Sequence, residues 1–292
     1  MRLALLLVMM MGAGMAESAA SAATCSPADI AATATALQDS RFALSQLPPH
    51  AGTSTAISPR TSSAITQTKA RLVDFVTAYM GCQRSTADAQ GIQVDLSRLG
   101  WAKAPDPNSS SGSATDGFRA DPSLAFDVRP FAGGLLGVTA RFGIPCGGDT
   151  LLMLFQIRGD DWDEILRVQS GPYRDLADAY QDFDYAISPA DDSGGWFLVE
   201  KHLPTICISV SAAITYSVLR MGPAPSRPRH LFSGHDPIYW GGEDYGRLTV
   251  DADGFEIRFH DDGGDRAEPV EVVRAFTVSG NSVKPAQRSL AE

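Results

Sequence analysis

The residue types best suited to catalysis or binding lie in one short run, GHDPIYWGGEDYG, at positions 234–246. His235 stands beside Asp236, and Glu243 and Asp244 follow closely. An imidazole near carboxylates can act in general acid–base catalysis or bind a metal ion. One hypothesis is therefore a secreted hydrolase that acts on glycan or peptide through the 234–246 loop.

The same run carries three large aromatic residues, Tyr239, Trp240 and Tyr245. Aromatic rings present a broad apolar face with a polar edge, and they are frequent anchors of binding surfaces. Loops held on rigid sheets often carry function, so the run also fits a binding surface without catalysis. In a third interpretation, its glycines and Pro237 form an ordered connection whose aromatics cover the end of a sheet.

A second acidic group occurs at Asp251-Ala252-Asp253-Gly254. Alternate carboxylates are typical of calcium loops, in which they converge on a hard cation. Strand-forming residues follow Gly254 where further ligands would be needed. We therefore expect a hairpin turn and no cofactor, and metal binding by Asp251 and Asp253 is the weaker alternative.

Motifs of common enzyme classes, such as G-x-S-x-G, H-E-x-x-H and the P-loop, do not occur in the sequence. The formal net charge is −10 and the sequence pI is about 4.9, which argues against a nucleic-acid binder because phosphates require a basic surface. No internal apolar run is long enough to span a bilayer. These features favour a non-catalytic binding or interaction module with a protein or glycan partner.

The first residues have the pattern of a secretory signal peptide over 1–23. Arg2 gives a short positive region, Leu3–Met10 gives an apolar core, and small residues precede the expected cleavage site. We therefore expect an exported protein, periplasmic or secreted. Lipoprotein anchoring at Cys25 is less favoured, because Thr24 is larger than the residue that normally precedes a lipid-modified cysteine.

After the signal peptide, the periodicity predicts helices at 26–46, 64–81 and 86–99. A Ser-Pro pair begins the first helix, and residues 50–63 are expected to form a loose connection. The first two helices should be roughly 31 Å and 27 Å long, which suits an antiparallel hairpin.

The sequence has four cysteines and no C-x-x-C pair, and an even number of cysteines in an oxidising compartment indicates disulfides. Four cysteines allow three pairings, and the helical hairpin favours one of them. The start of the first helix and the end of the second carry Cys25 and Cys82, which should lie side by side. We predict the disulfides Cys25–Cys82 and Cys146–Cys207.

From position 123 the pattern alternates with a period of two, which predicts β-strands. About nine strands and one short helix near 174–181 are expected, in an antiparallel sandwich or curved sheet. Residues 206–218 should form a long strand with a polar outer face, and Leu151–Phe155 a strand buried on both faces.

The predicted fold class is thus α+β, an N-terminal helical hairpin followed by a mainly antiparallel β-rich domain. The predicted division is a helical domain at 24–103, a Pro- and Ser-rich linker at 104–122, a β-rich domain at 123–286 and a tail at 287–292.

Overall fold

The computed structural model describes nine stretches of the chain: residues 25–48, 56–100, 123–145, 147–171, 173–203, 211–222, 228–239, 246–261 and 270–286. The described residues begin with three helices, α1 (Pro27–Ser45), α2 (Pro59–Met80) and α3 (Ala89–Gly100). The linker predicted at 104–122, the signal peptide and the tail lie outside these stretches.

Both long helices begin at a Ser-Pro pair. The Ser26 hydroxyl accepts a hydrogen bond from the Asp29 amide at 3.3 Å, and the Ser58 hydroxyl accepts one from Thr61 at 3.1 Å. This cap satisfies an amide that has no partner inside the helix. The prediction that α2 starts at 64 is therefore wrong: the Ser- and Thr-rich composition before it suggested a loop, but the cap at Ser58 begins the helix at Pro59.

Twelve strands form three antiparallel sheets among the described residues, and each sheet follows chain order. Sheet 1 contains β1 (Leu124–Phe131), β2 (Leu135–Ile144), β3 (Gly147–Arg158) and β4 (Asp161–Gln169). Sheet 2 contains β5 (Asp182–Ile187), β6 (Trp196–Leu203), β7 (Ser211–Met221) and β8 (Arg229–Tyr239). Sheet 3 contains β9 (Arg247–Val250), β10 (Gly254–Asp261), β11 (Val270–Ser279) and β12 (Ser282–Pro285).

The predicted α+β class is confirmed, and the strand count is higher than the nine expected. A short 3-10 helix (Leu176–Asp178) lies where a short helix was predicted. β8 is a strand that the sequence analysis did not predict, because Gly234 and Pro237 make its sequence resemble a connection. It is an outer strand of sheet 2, and that position tolerates such residues because one side of an outer strand needs no sheet partner.

Three apolar clusters lie between the successive layers of the molecule. The first joins the helices to sheet 1 and contains Phe75, Phe126 and Phe142. The second lies between sheets 1 and 2, and the third lies between sheets 2 and 3. Sheets 1 and 2 are therefore covered on both faces, and Leu151–Phe155 in β3 is buried throughout, as its continuous apolar run predicts.

Burial of sheet 2 on both faces corrects the predicted polar outer face of the 206–218 strand. The Ser217 hydroxyl on β7 donates a hydrogen bond to the buried carboxylate of Glu200 on β6. Glu200 shares its face with Leu198, which packs toward sheet 1. Ser217, one of the residues predicted on the outer face, thus meets a buried partner. Residues 204–210 lie outside the described stretches.

The helices and sheet 1 share one apolar core. Phe75 on α2 stacks obliquely on Phe126 of β1, with ring centroids 6.2 Å apart. The Trp162 indole donates a hydrogen bond to the carbonyl of Arg84, which follows α2. The division at 104–122 into two domains stays a prediction. The shared core is the reason to test whether the two parts can fold separately.

Candidate functional site

The chemistry-bearing run begins on a strand. His235, Asp236 and Tyr239 belong to β8, which pairs with β7 along its length. The prediction of one loop over 234–246 is therefore wrong for its first part. Pro237 suggested a loop, but it is compatible with β8 because β8 is the outer strand of sheet 2. Trp240, Glu243, Asp244 and Tyr245 lie outside the described residues.

His235 and Asp236 have different environments, since successive side chains of a strand point to opposite faces. Asp236 is 7% exposed and His235 is exposed. One oxygen of Asp236 accepts a hydrogen bond from the Tyr216 hydroxyl at 3.0 Å, and the other accepts one from Arg274 Nε at 2.8 Å. The structure therefore does not bring the His235 ring and the Asp236 carboxylate together as a pair.

The groups around Asp236 reinforce one another electrostatically. Burial raises the pKa of Tyr216, and the neighbouring Asp236 charge raises it further. The hydrogen bond to Asp236 raises the pKa of Arg274. Tyr216 therefore remains a protonated donor and Arg274 a cation at neutral pH, and both donate to a carboxylate that is already engaged.

Beside this bridge, a cleft of about 690 Å³ lies between sheets 2 and 3. We call it the β8–β11 cleft. Residues 232–235 of β8 form one wall, residues 273–276 of β11 form the other, and residues 285–286 close one end. Tyr216 also lines the cleft. A cleft between two strands presents both side chains and strand edges to a ligand.

Three aromatic side chains line the β8–β11 cleft: Tyr216, Phe232 and Phe276. The ring centroids of Phe232 and Phe276 are 5.3 Å apart, and Phe276 stacks on Phe255 at 4.7 Å. Phe232 is the partly exposed member of this group, while Phe255 and Phe276 are buried. Phe232 is thus the ring of this group that a ligand could contact, and the buried rings behind it hold it in place. The sequence indicated an aromatic surface in this region but not these rings, because they come from separate strands.

Gly234 allows the close packing at this site. A Cβ atom at this position would overlap the ring of Tyr216, whose Cζ would be only 2.6 Å away. The missing side chain lets the β8 backbone lie directly on the ring of Tyr216, which in turn reaches Asp236.

The second acidic group forms a turn. Asp251 and Asp253 lie between β9 and β10, where the Asp251 amide donates to the Gly254 carbonyl at 3.1 Å. The Asp253 amide donates to the Asp251 side chain at 3.3 Å. Within the described part of the chain, no group of three or more His, Cys, Asp and Glu side chains is arranged to hold a metal ion.

Cys25 and Cys82 are paired in the structure, with their Cα atoms 4.7 Å apart. Cys25 precedes α1 and Cys82 follows α2, so the antiparallel hairpin brings them together as its helix lengths predict. Cys146 and Cys207 lie outside the described residues, and the second bridge stays a prediction.

A buried cation connects α2 to sheet 1. Lys69 Nζ donates to the hydroxyl of Ser170 at 2.7 Å and lies 3.8 Å from the Asp149 carboxylate. Burial lowers the pKa of Lys69, an effect that Asp149 opposes. Ser170 in turn donates to Asp149 at 2.9 Å. All three side chains are buried, so this network positions the helices rather than meeting a substrate.

A second polar group lies between sheets 1 and 2. His202 Nδ1 is 3.2 Å from Glu200, whose other oxygen accepts a hydrogen bond from Ser217. The ring of His202 stacks on Tyr180, with centroids 3.9 Å apart. In a catalytic triad the histidine lies between serine and carboxylate. Here the carboxylate lies between the other two, so the arrangement does not activate Ser217.

No protein-family model and no curated protein matches this chain. Among the described residues, no helix combines the length and the apolar character that crossing a bilayer requires.

Proposed function

We propose that this protein is a non-catalytic binding or interaction module that acts in the envelope or the extracellular space through the β8–β11 cleft. The observation that carries the proposal is the cleft itself, which residues of β8 and β11 line and in which the ring of Phe232 is partly exposed. The carboxylate beside His235 in the chain, Asp236, already accepts hydrogen bonds from Tyr216 and Arg274, and this favours recognition over acid–base chemistry.

The proposed location rests on two features of the N-terminal part. The signal-peptide pattern over 1–23 supports export to the periplasm or the medium. The paired cysteines Cys25 and Cys82 support an oxidising compartment, because disulfides are rare in a reducing cytosol. Analysis of the N-terminus and cell fraction of the expressed full-length protein tests both parts of this proposal.

Binding is tested by titrating the isotope-labelled protein with two defined probes, a short peptide of alternating Thr and Val and a chitin oligomer. We expect backbone amide shifts at residues 232–235 and 273–276 with one of them. Phe232→Ala should weaken that binding about tenfold or more, the scale of an aromatic anchor.

Phe42→Ala is the matched control, because Phe42 is 65% exposed on α1 and lies outside the cleft lining. This variant should bind like the unmodified protein. Equal affinity of Phe232→Ala and the unmodified protein, or shifts confined to other surfaces, would remove the cleft from the proposal.

A hydrolase remains the second candidate, and the exposed His235 in the cleft lining is the observation that favours it. If the protein cleaves a glycan or a peptide, His235→Ala should lower the rate on the order of 10²-fold. If the 234–246 run binds without catalysis, His235→Ala should have little effect, and Trp240→Ala should weaken binding of the ligand by about 2 kcal/mol or more.

A further inference from the structure

We propose that the β8–β11 cleft receives an extended polypeptide segment of a partner, which pairs as an added strand with the open edge of β11. This inference rests on the proposed binding function and names its partner class. It depends on which part of β11 is already paired, on the direction of its free backbone groups and on the composition of the cleft.

Within the described stretches, β11 is paired along only part of its β12 side. On its β10 side the ladder covers positions 270–277, whereas β12 covers only Phe276–Ser279 on the other side. The final contact on the β12 side is the Ala286 amide, which donates to the Ala275 carbonyl at 2.9 Å. Among the described residues, no strand continues this ladder along 270–274, and the cleft begins where β12 ends.

The register identifies the backbone groups on the open edge. In an antiparallel strand, alternate residues direct both the amide and the carbonyl toward the same neighbour. Ala275 directs its carbonyl toward the β12 side. Two and four positions earlier, Val273 and Glu271 therefore present their amide and carbonyl groups to the same side, while Val272 and Arg274 face β10.

The opposite wall makes the cleft suitable for a strand. β8 is the outer strand of sheet 2, and its residues 232–235 face 273–276 across the cleft. An inserted chain would thus lie between two strands. Its backbone would match the row of amides and carbonyls on β11, and an apolar side chain would meet Phe232. A glycan has no backbone of alternating amides and carbonyls at the spacing of a strand, so the open edge favours a polypeptide.

Hydrogen exchange of the full mature chain tests the inference with the alternating Thr-Val peptide as the probe. In the free protein we expect the amides of Val273 and Glu271 to exchange rapidly. Saturating peptide should slow their exchange about tenfold or more, since added-strand hydrogen bonds protect them. The amides of Val272 and Arg274 serve as internal controls, because β10 should protect them in both states.

A backbone substitution gives an independent measurement. Val273→Pro removes the amide that faces the open edge, a position where proline is compatible with a strand. It should weaken peptide binding about tenfold or more, whereas Val273→Thr, which keeps the amide and the branched side chain, should not. If Val273→Pro does not fold, a peptide N-methylated at alternate positions replaces it: methylation of one alternate set should abolish binding and methylation of the other should not.

Three results would overturn the inference. Slow exchange of Val273 and Glu271 in the free protein would mean that the chain itself covers this edge, for example through residues 287–292, which lie outside the described stretches. Binding that depends on Phe232 but not on the Val273 amide would retain the cleft function and exclude strand addition. Binding of the chitin oligomer in place of the peptide would assign the cleft to a glycan.

Discussion

Arg274 on β11 reaches Asp236 on β8 and places both Nε and Nη2 2.8 Å from the same carboxylate oxygen. The second oxygen of Asp236 accepts the Tyr216 hydroxyl. One nearly buried carboxylate thus connects two neighbouring strands of sheet 2 to sheet 3. Because Tyr216 and Arg274 line the cleft, the bridge that holds the two sheets together also fixes the shape of the candidate site.

We expect Asp236→Asn to lower the free energy of unfolding by about 1–3 kcal/mol, because charge-assisted hydrogen bonds to a buried group are lost. Asp74→Asn is the control, since Asp74 pairs with Arg71 at an exposed position and such pairs contribute little. Urea unfolding of both variants measures the difference. Equal stability of the two would mean that the Asp236 bridge does not hold the sheets together.

We expect stability to fall as pH rises from about 10 toward about 12. Burial raises the pKa of Tyr180 to about 12, whereas an unfolded tyrosine titrates near 10. Between these values the unfolded chain has lost the phenolic proton and the folded chain retains it, so rising pH favours unfolding. Burial raises the pKa of other tyrosines in the same direction: Tyr79, Tyr173, Tyr185 and Tyr216.

Urea unfolding at a series of alkaline pH values, combined with tyrosinate absorbance, measures this effect. Tyr180→Phe should show a shallower loss of stability, because one raised group no longer titrates. A free energy of unfolding that stays constant across the window, or a Tyr180→Phe variant with the same pH dependence, would contradict the prediction.

We expect removal of the Cys25–Cys82 bridge to destabilise the helical hairpin. The bridge closes a sequence separation of 57 residues, for which chain entropy gives up to about 4 kcal/mol. Replacing both cysteines by serine should lower the free energy of unfolding by an amount of that order. Non-reducing peptide mapping is the companion measurement: it should join Cys25 to Cys82 and Cys146 to Cys207, and a peptide joining Cys25 to Cys146 would refute the pairing.

Local signals in the sequence were sufficient for several elements. The cap at Ser26 and the apolar spacing predict α1, and the helix lengths predict the Cys25–Cys82 pair. The Asp-Gly signal predicts the turn before Gly254. Each of these depends on residues close in sequence or on simple length arithmetic, which is why the sequence contains enough information.

The site could be predicted only in part, because its geometry depends on distant residues. The chemistry of His235 and Asp236 was visible, but the partner of Asp236, Arg274, lies 38 residues further along the chain. Nothing in the local spacing distinguishes a strand with Pro237 from a loop until the pairing with β7 is known. Strand propensity depends on such tertiary context, so the residues were identified while their arrangement was not.

The predicted linker at 104–122 gives a last test, of whether the chain contains two separable domains. The sequence favours separation, since this segment has little to bury. The shared core argues for a different outcome: Phe75 on α2 is fully buried and contacts Phe126 on β1, within a cluster that contains residues of all three helices and of sheet 1.

Limited proteolysis followed by purification of the fragment that starts near 123 measures the difference. Because sheet 1 would lose its helical cover, we expect this fragment to melt at a lower temperature than the full chain and to bind a hydrophobic dye. The fragment from 24–103 should restore the melting temperature when the two are mixed. A fragment that melts cooperatively at the temperature of the full chain would instead establish an independent β-rich domain, because the apolar face of sheet 1 would then be stable without the helices.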